Sequence, residues 1–271
     1  MAGNKIITVD LGGTFLRTGI VKNNKIIKYI KKETPKNKKA IVKELLSSIE
    51  SLMTKDVKAI GVASAGPLKN GIIKNPPNLP FKTLNLKKIL KKKFKKRVEV
   101  ENDAGCVALA EAKLGCKKNN FLVLTLGTGI GGGIILDGKL EMGEGYGGEL
   151  GHIHLDKKRD FEDVWQDIRK RYRKAFGEKI LIKDLLKMKN PKAKKFLKEL
   201  SVCLGRGIAS LINIFDPEIV VLSGGVKETG SIFLNMVKKQ AIKYIIIPEK
   251  PEIKWTTLEH PGILGAALLI N

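Results

Sequence analysis

The sequence has few cysteines, few aromatic residues and no apolar run long enough to cross a bilayer. Its 271 residues include three cysteines, Cys106, Cys116 and Cys203, which are far apart and form no C-x-x-C pair. This spacing excludes a zinc knuckle or a redox pair and indicates three reduced, small apolar side chains. The longest apolar segments, Phe121–Leu126 and Ile242–Ile247, have only the length of strands.

The first residues also lack an apolar stretch followed by a small-residue cleavage site. We therefore expect a cytoplasmic protein. Hydrophobic residues make up 43% of the chain, which is enough to bury the core of one large domain or of two smaller lobes.

Acidic residues are scarce beside basic ones, with 27 Asp and Glu against 51 Lys and Arg. Such a balance is typical of proteins that bind nucleic acids or membrane surfaces. However, the lysines are spread over the whole chain, and the densest run, Lys87–Arg97, has the apolar spacing of a helix with a solvated basic face. We favour a compositional preference for lysine, and DNA binding by this helix is the alternative. We expect no membrane partner and no nucleic-acid partner.

The predicted strands and helices follow a similar order in the two halves of the chain. Strands are predicted at Lys5–Asp10, Leu16–Val21, Lys25–Lys32, Val57–Val62, Arg97–Val100, Phe121–Leu126, Ile134–Leu136 and Ile219–Leu222. Helices are predicted at Ala40–Met53, Lys87–Arg97 and Asn102–Leu114, within Phe161–Phe215, and at Gly262–Ile270. This order predicts two α/β lobes with a cleft between them, and ligands of such sheets bind beyond the carboxyl ends of the strands.

A first glycine turn, Asp10-Leu11-Gly12-Gly13-Thr14, lies between two predicted strands. Its glycines let the backbone approach a phosphate, and backbone N–H groups and the Thr14 hydroxyl can bind phosphate oxygens. Asp10 could hold a hydrated Mg²⁺ near those phosphates. A tight hairpin turn that is merely capped by Asp10 is the alternative.

A second glycine turn reads Gly127-Thr128-Gly129-Ile130-Gly131-Gly132-Gly133 and contains G-x-G-x-x-G. A dinucleotide-binding Rossmann site would need a helix directly after this motif, whereas a strand is predicted here. We therefore interpret the segment as a second β-turn-β phosphate site. The sequence contains no G-x-x-x-x-G-K-[ST] motif, which excludes a P-loop.

The ordered set of DLGGT, AGP, PPNLP, VENDA, LGTGIGGG, GGELGH, LSGG and GILGAALL resembles the ROK family of sugar kinases and related repressors. The resemblance implies an α/β fold of the two-lobed actin-like ATPase (ribonuclease H-like) type, with an interlobe cleft. We expect a small lobe formed by residues 1–112 with the C-terminal helix 260–271, and a large lobe formed by residues 113–259. The resemblance also suggests a homodimer through the larger lobe.

The resemblance assigns roles to individual residues. It implies phosphate contacts by Asp10, Gly12, Gly13, Thr14, Gly127, Thr128 and Gly129, with Ser223, Gly224 and Gly225 near the adenosine. It implies sugar ligands at Asn78, Asn102, Asp103, Glu149 and His152, and a further one for which Glu162 is the best match and Asp163 its rival.

Asp103 is also implied to be the catalytic base. A sugar hydroxyl is a poor nucleophile until its proton has an acceptor, and a positioned carboxylate contributes roughly 10²–10⁴-fold to the rate. The start of a helix favours the ionised form of such a carboxylate. The alternative for Asp103 is a plain N-cap, and for Glu149 and His152 it is structural hydrogen bonding in a glycine-rich loop.

Many ROK members carry C-x-C-G-x-x-G-C after the Gly-His segment, and these cysteines hold a structural zinc together with the histidine. Here the segment reads GHIHLDKKRDFEDVW and has no cysteine. His152 and His154 alone make a poor zinc site, because structural zinc takes four ligands. We therefore expect no bound zinc.

These observations predict an ATP- and Mg²⁺-dependent kinase that phosphorylates a hexose, with glucose at its C6 hydroxyl as the first hypothesis. Kinases of fructose, N-acetylglucosamine or N-acetylmannosamine are alternatives that differ in the sugar pocket. A sugar-responsive transcriptional repressor is a third. Such repressors carry an N-terminal helix-turn-helix, and the first predicted strand begins at Lys5, so we expect no room for one.

Overall fold

The computed structural model describes residues 4–270, which form two compact units. The first unit contains the chain through Lys117, Leu140–Gly148 and the chain from Leu258 onward, and the second contains Lys118–Lys139 and Glu149–Thr257. The mixed α/β architecture predicted from the sequence is confirmed. The predicted domain limits, 1–112 with 260–271 and 113–259, stay a prediction.

Strands and helices are numbered along the chain. The strands are β1 (Lys5–Leu11), β2 (Phe15–Lys22), β3 (Lys25–Glu33), β4 (Val57–Ser64), β5 (Leu68–Lys69), β6 (Ile72–Lys74), β7 (Thr83–Asn85), β8 (Arg97–Asn102), β9 (Phe121–Leu126), β10 (Ile130–Leu136), β11 (Lys139–Leu140), β12 (Ile219–Ser223) and β13 (Glu252–Trp255). The helices are α1 (Lys38–Leu52), α2 (Leu86–Phe94), α3 (Asp103–Leu114), α4 (Phe161–Phe176), α5 (Ile182–Lys187), α6 (Pro191–Phe215), α7 (Gly230–Ala241) and α8 (Pro261–Leu268).

The first unit is built on a five-stranded sheet of order β3-β2-β1-β4-β8. β1, β2 and β3 form an antiparallel meander, while β4 pairs in parallel with β1 and with β8. Asn23 and Asn24 form the β2–β3 turn with φ of 50° and 59°, as a two-residue hairpin requires. α1 buries Ile41, Leu45 and Ile49 at helical spacing in the core of this unit.

Glycines allow α8 to pack very closely in the first unit. A Cβ on Gly61 of β4 would lie 1.8 Å from the Ala266 carbonyl oxygen, and a Cβ on Gly265 would lie 1.8 Å from the Cys106 carbonyl oxygen. Larger residues are therefore excluded at both positions. This packing fixes α3, and with it the residues at the start of α3, against the sheet.

The second unit is built on a sheet of order β11-β10-β9-β12-β13, in which β9, β12 and β13 are parallel. The long helix α6 buries Leu200, Leu204 and Ile208 in the core of this unit. α4 contributes Phe161 and Trp165 to the same core. Among the described residues, no helix is long and apolar enough to cross a membrane.

Several predicted boundaries are wrong. The predicted helix Lys87–Arg97 ends at Phe94, because Lys95 takes a left-handed φ of 50°, and Arg97 begins β8. The predicted strand Ile134–Leu136 starts earlier, at Ile130, so that Gly131–Gly133 pair with β9. By contrast, the predicted helical stretch Phe161–Phe215 is confirmed and contains three separate helices.

Candidate active site

The first glycine turn joins β1 to β2 and is fixed by its own hydrogen bonds. Gly12 N donates to Phe15 O at 3.1 Å, and Thr34 N donates to Thr14 O at 2.9 Å. The Thr34 hydroxyl also donates to Gly12 O at 2.6 Å. The edge strand β3 therefore stabilises the turn through Thr34, the residue that follows it.

Asp10, near the end of β1, is paired with Arg17 across the hairpin. Arg17 Nη1 lies 3.0 Å from Asp10 Oδ2, and the two side chains are 28% and 18% exposed. Burial raises the pKa of the Asp10 carboxyl, and the Arg17 guanidinium and His260 oppose this rise. Arg17 thus supplies a positive charge beside the carboxylate that the sequence assigned to phosphate and metal binding.

The carboxyl ends of three parallel strands in the first unit lie in one row. Leu11 of β1 pairs with Ser64 of β4, and Ser64 pairs with Asn102 of β8. The glycine turn, the Ala-Gly-Pro turn after β4 and the start of α3 therefore follow one another along a single sheet edge. This is the edge at which parallel α/β sheets bind ligands.

Asn78 packs directly on the first glycine turn. A Cβ on Gly13 would lie 2.6 Å from Asn78 O and 2.8 Å from Asn78 Cβ. The loop that carries Asn78 is also held against the Ala-Gly-Pro turn, because Gly66, with φ of 94°, leaves no space for a Cβ next to Pro76. The predicted sugar ligand Asn78 and the predicted phosphate ligand Gly13 are thus neighbours in the first unit.

Asn102, and not Asp103, is the N-cap of α3. Asn102 Oδ1 accepts from Ala104 N at 2.9 Å and from Gly105 N at 3.2 Å, and Asn102 Nδ2 donates to Gly66 O at 3.3 Å. Asn102 thus occupies the cap position in place of Asp103, although Asp103 Oδ1 also accepts from Ala104 N at 2.9 Å. Asp103 is the first residue of the helix, where the aligned backbone dipoles favour a negative charge.

In the second unit, the second glycine turn is confined to Gly127–Gly129, between β9 and β10. Gly127 N donates to Gly129 O at 3.0 Å. Arg169 Nη1 of α4 donates to Thr128 O at 2.8 Å and also to Gly127 O. The turn is therefore held both by its own backbone and by an arginine.

A group of ionisable side chains adjoins this turn in the second unit. Gly151, in the 3₁₀ turn Leu150–His152, approaches β10 so closely that a Cβ would lie 2.1 Å from Ile130 O. This contact places Glu149 and His152 beside the start of β10. Burial raises the pKa of Glu149, the nearby His152 opposes this rise, and the nearby Glu162 adds to it.

His152 is oriented by a hydrogen bond to Asp160. His152 Nδ1 lies 2.7 Å from Asp160 Oδ2, and the Asp160 side chain is 17% exposed. Burial opposes the charged imidazole, but the Asp160 bond and then the Glu162 and Glu149 carboxylates outweigh it, so the pKa of His152 is raised. With Nδ1 engaged, Nε2 is the ring nitrogen left for a ligand.

Glu162 and Asp163, the rival matches for one sugar ligand, occupy different surroundings. Asp163 forms a capping box with Asp160: Asp163 N donates to Asp160 Oδ1 at 2.7 Å, and Asp160 N donates to Asp163 Oδ2 at 3.4 Å. Glu162 is 8% exposed and accepts from Ile130 N at 2.6 Å. Glu162 is therefore the carboxylate that lies with Glu149 and His152.

The Ser223-Gly224-Gly225 turn follows β12, the strand next to β9. Ser223 pairs with Thr125, and Gly224 lies so close to β9 that a Cβ would be 2.3 Å from Leu126 O. Gly224 also has a φ of 93°, which other residues rarely adopt. The turn assigned to the adenosine and the second glycine turn are thus adjacent.

The structure groups the predicted residues within each unit. Around the first sheet edge lie Asp10, Gly12, Gly13, Thr14, Asn78, Asn102 and Asp103. In the second unit lie Gly127, Thr128, Gly129, Glu149, His152, Glu162, Ser223, Gly224 and Gly225. The sequence reasoning missed Arg17, Asp160, Gln166 and Arg169, of which Gln166 and Arg169 follow Glu162 at helical spacing.

Among the described residues, no group of three or more His, Cys, Asp or Glu side chains could hold a metal ion. Mg²⁺ is commonly bound by one or two carboxylates, with phosphates and water completing its octahedron. Asp10 beside the first glycine turn fits that limited role. The absence of zinc stays a prediction.

A β-turn-β glycine turn in each of two α/β units is the arrangement of the actin-like ATPase class. The model of the ROK family matches residues 6–271, and the chain belongs to the ROK family. The family membership predicted from the ordered motifs is thus confirmed.

Similar proteins span nearly the whole chain. A glucokinase of Thermotoga maritima is 28% identical, over 98% of this chain and 97% of its own length. A ROK family glucokinase of Streptomyces griseus, in complex with glucose and AMPPNP, has a TM-score of 0.89 at 26% identity, covering 98% of each chain. A ROK hexokinase of Thermus thermophilus has a TM-score of 0.81 at 30% identity, covering 97% of each chain. These structures confirm the predicted fold class.

Proposed function

We propose that the protein is an ATP-dependent sugar kinase that transfers the γ-phosphoryl group of ATP to the C6 hydroxyl of glucose. Its family membership and its similarity to glucokinases support the sugar and the donor. The observation that carries the proposed chemistry is the position of Asp103 behind the cap Asn102, at the edge that also holds the first glycine turn.

In the proposed reaction, Asp103 accepts the proton of the C6 hydroxyl as the new O–P bond forms and the bond to the ADP oxygen breaks. Asn102 has little freedom, because its oxygen accepts two backbone N–H groups, so its remaining amide hydrogen can point only in a fixed direction. The proposed sugar ligands are Asn78, Asn102, Asp103, Glu149, His152 and Glu162.

We propose that each glycine turn binds phosphate groups of ATP through its backbone N–H groups. The adjacent Ser223-Gly224-Gly225 turn would contact the adenosine. Asp10 would hold Mg²⁺ through water, and the ion would neutralise charge on the phosphates. Arg17, paired with Asp10, adds positive charge at the same turn.

The proposal is tested by ADP release, measured in a coupled assay with ATP, Mg²⁺ and a panel of sugars. We expect the highest kcat/KM with glucose. The panel includes fructose, N-acetylglucosamine and N-acetylmannosamine, and a preference for one of these would replace glucose while retaining the kinase. No ADP release with any sugar, together with specific DNA binding at physiological salt, would favour a regulator.

We also propose that the protein forms a homodimer through the second unit. Three isoleucines near the C-terminal ends of α6 and α7 are exposed in this unit: Ile214 by 67%, Ile242 by 53% and Ile246 by 85%. Contiguous patches of exposed apolar side chains are typical of contact surfaces. Light scattering after size exclusion would give twice the chain mass if the proposal holds.

A further inference from the structure

One face of α4 holds the second glycine turn. Glu162, Gln166 and Arg169 are spaced by four and then three residues, which places them on the same side of the helix. Glu162 Oε2 accepts from Ile130 N at 2.6 Å, Gln166 Nε2 donates to Glu162 Oε1 at 2.7 Å, and Arg169 donates to the turn carbonyls. These contacts fix the turn from both ends.

The Arg169 contacts determine where the N–H groups of the turn point. In a planar trans peptide the C=O and the N–H point in opposite directions. Because Arg169 binds the carbonyls of Gly127 and Thr128, the N–H groups of Thr128 and Gly129 point away from α4. Successive N–H groups that point the same way form an anion-binding concavity.

The carboxylate of Glu162 fills the space behind the turn. A Cβ on Gly129 would lie 2.1 Å from Glu162 Oε2, and the Glu162 side chain is 8% exposed. Each oxygen of this carboxylate accepts a hydrogen bond, one from Ile130 N directly after the turn and one from Gln166. A group held in this way cannot shift without moving the turn or leaving a buried polar group unpaired.

We propose that Glu162 couples the sugar site to the nucleotide site, so that a sugar hydroxyl bound to Glu162 stabilises the phosphate-binding form of the second glycine turn. This inference rests on the proposed function, which supplies the hydroxyl. Glu149 belongs to the same group of side chains, but among the described residues it makes no hydrogen bond to the turn. The structure thus offers two neighbouring carboxylates of which one is linked to the turn.

The coupling is reciprocal, so it can be measured from either ligand. The affinity for AMPPNP is determined by calorimetry without and with saturating glucose, and the ratio of the two Kd values is the coupling factor. For the unmodified protein we expect a factor on the order of 5 to 150. Glu162→Gln should reduce it to near 1, because an amide has one acceptor oxygen for two donors.

Glu149→Gln is the matched control. It removes the same charge from the same group of side chains and weakens glucose binding, but it should leave the coupling factor unchanged once glucose is saturating. Thermal melts check that each variant is folded. If Glu162→Gln does not fold, Gln166→Ala replaces it, and this change at an exposed residue should also reduce the factor.

The inference is overturned if the unmodified protein has a coupling factor of 1, or if Glu162→Gln or Gln166→Ala retains the full factor. These outcomes differ from failure of the proposed function. In that case glucose produces neither heat of binding nor ADP release, whereas failure of the coupling alone leaves both intact.

Discussion

Replacing Gly13 with alanine should weaken sugar binding, although Gly13 lies in a phosphate-binding turn. The added Cβ would lie 2.6 Å from Asn78 O and 2.8 Å from Asn78 Cβ, and both distances are too short for real contacts. Gly13 does not have a positive φ, so an alanine is not strained by its backbone conformation. The loop that carries Asn78 must therefore move, and a proposed sugar ligand moves with it.

The size of the effect follows from overpacking. Inserting a methyl group into a filled space costs about 1–3 kcal/mol. If the loop moves away in the free protein and must return to bind sugar, the KM for glucose rises by roughly 5- to 150-fold. Gly127→Ala is the matched control, because a Cβ on Gly127 would have no neighbour within 4 Å. Its KM for glucose should be unchanged.

Steady-state kinetics with varied glucose at saturating ATP measure both variants. The reasoning is refuted if Gly13→Ala has the glucose KM of the unmodified protein, or if Gly127→Ala raises that KM as much as Gly13→Ala does. A melting temperature for each variant separates a local shift of the loop from loss of the fold.

Two further predictions concern α4 and Asp160, the residue that caps its start. Arg169→Met should raise the KM for ATP about tenfold or more, because charged hydrogen bonds to the turn are lost. Lys170→Met makes the same charge change at an exposed neighbour and should leave the KM for ATP unchanged. Equal effects of the two substitutions would contradict the positioning role of Arg169. Asp160→Asn keeps a capping side chain but removes the charge, so the NMR-titrated pKa of His152 should fall. The pKa of His152 is higher in the folded protein than the unfolded-state value of about 6.5. The stabilisation of the fold by the Asp160–His152 pair is therefore fully present below that unfolded-state pKa. It is lost as the pH rises through the folded-state pKa. The difference in unfolding free energy between the two proteins should therefore shrink with rising pH, and a constant difference would contradict this account.

The parts of the fold that could be predicted are those with a local signal. Phe121–Leu126 is apolar except for Thr125 and lies between polar turns, and it is β9. Asn23-Asn24 gives a hairpin because asparagine tolerates a positive φ. The end of α2 at Lys95 could not be predicted, because a lysine in a left-handed conformation has no sequence signal comparable to glycine.

Glycine was misleading in one segment. Gly131–Gly133 belong to β10. Because glycine weakens strands, these three residues were interpreted as part of the preceding turn. Their neighbours in β9 supply the pairing that the residues themselves do not favour. Tertiary contacts thus decided a boundary that composition alone placed wrongly.

The candidate site was predictable where motifs carry it and not where side chains from different elements meet. The glycine turns and Glu162 follow from the resemblance. The Asp10–Arg17 pair needed the register of β1 on β2, which sets these two residues opposite each other. The contact of Arg169 with the second glycine turn could not be predicted without knowing how α4 packs. Helical spacing indicates only that Arg169 lies on the same side of α4 as Glu162.

The central claim is that Asp103 accepts the proton of the sugar hydroxyl, and Asp103→Asn tests it most directly. The amide has nearly the same shape but cannot take up the proton, so kcat with glucose should fall by roughly 10²- to 10⁴-fold. Glucose binding, measured by calorimetry, should persist. A kcat within a few fold of that of the unmodified protein, in a folded variant that binds glucose, would contradict the account.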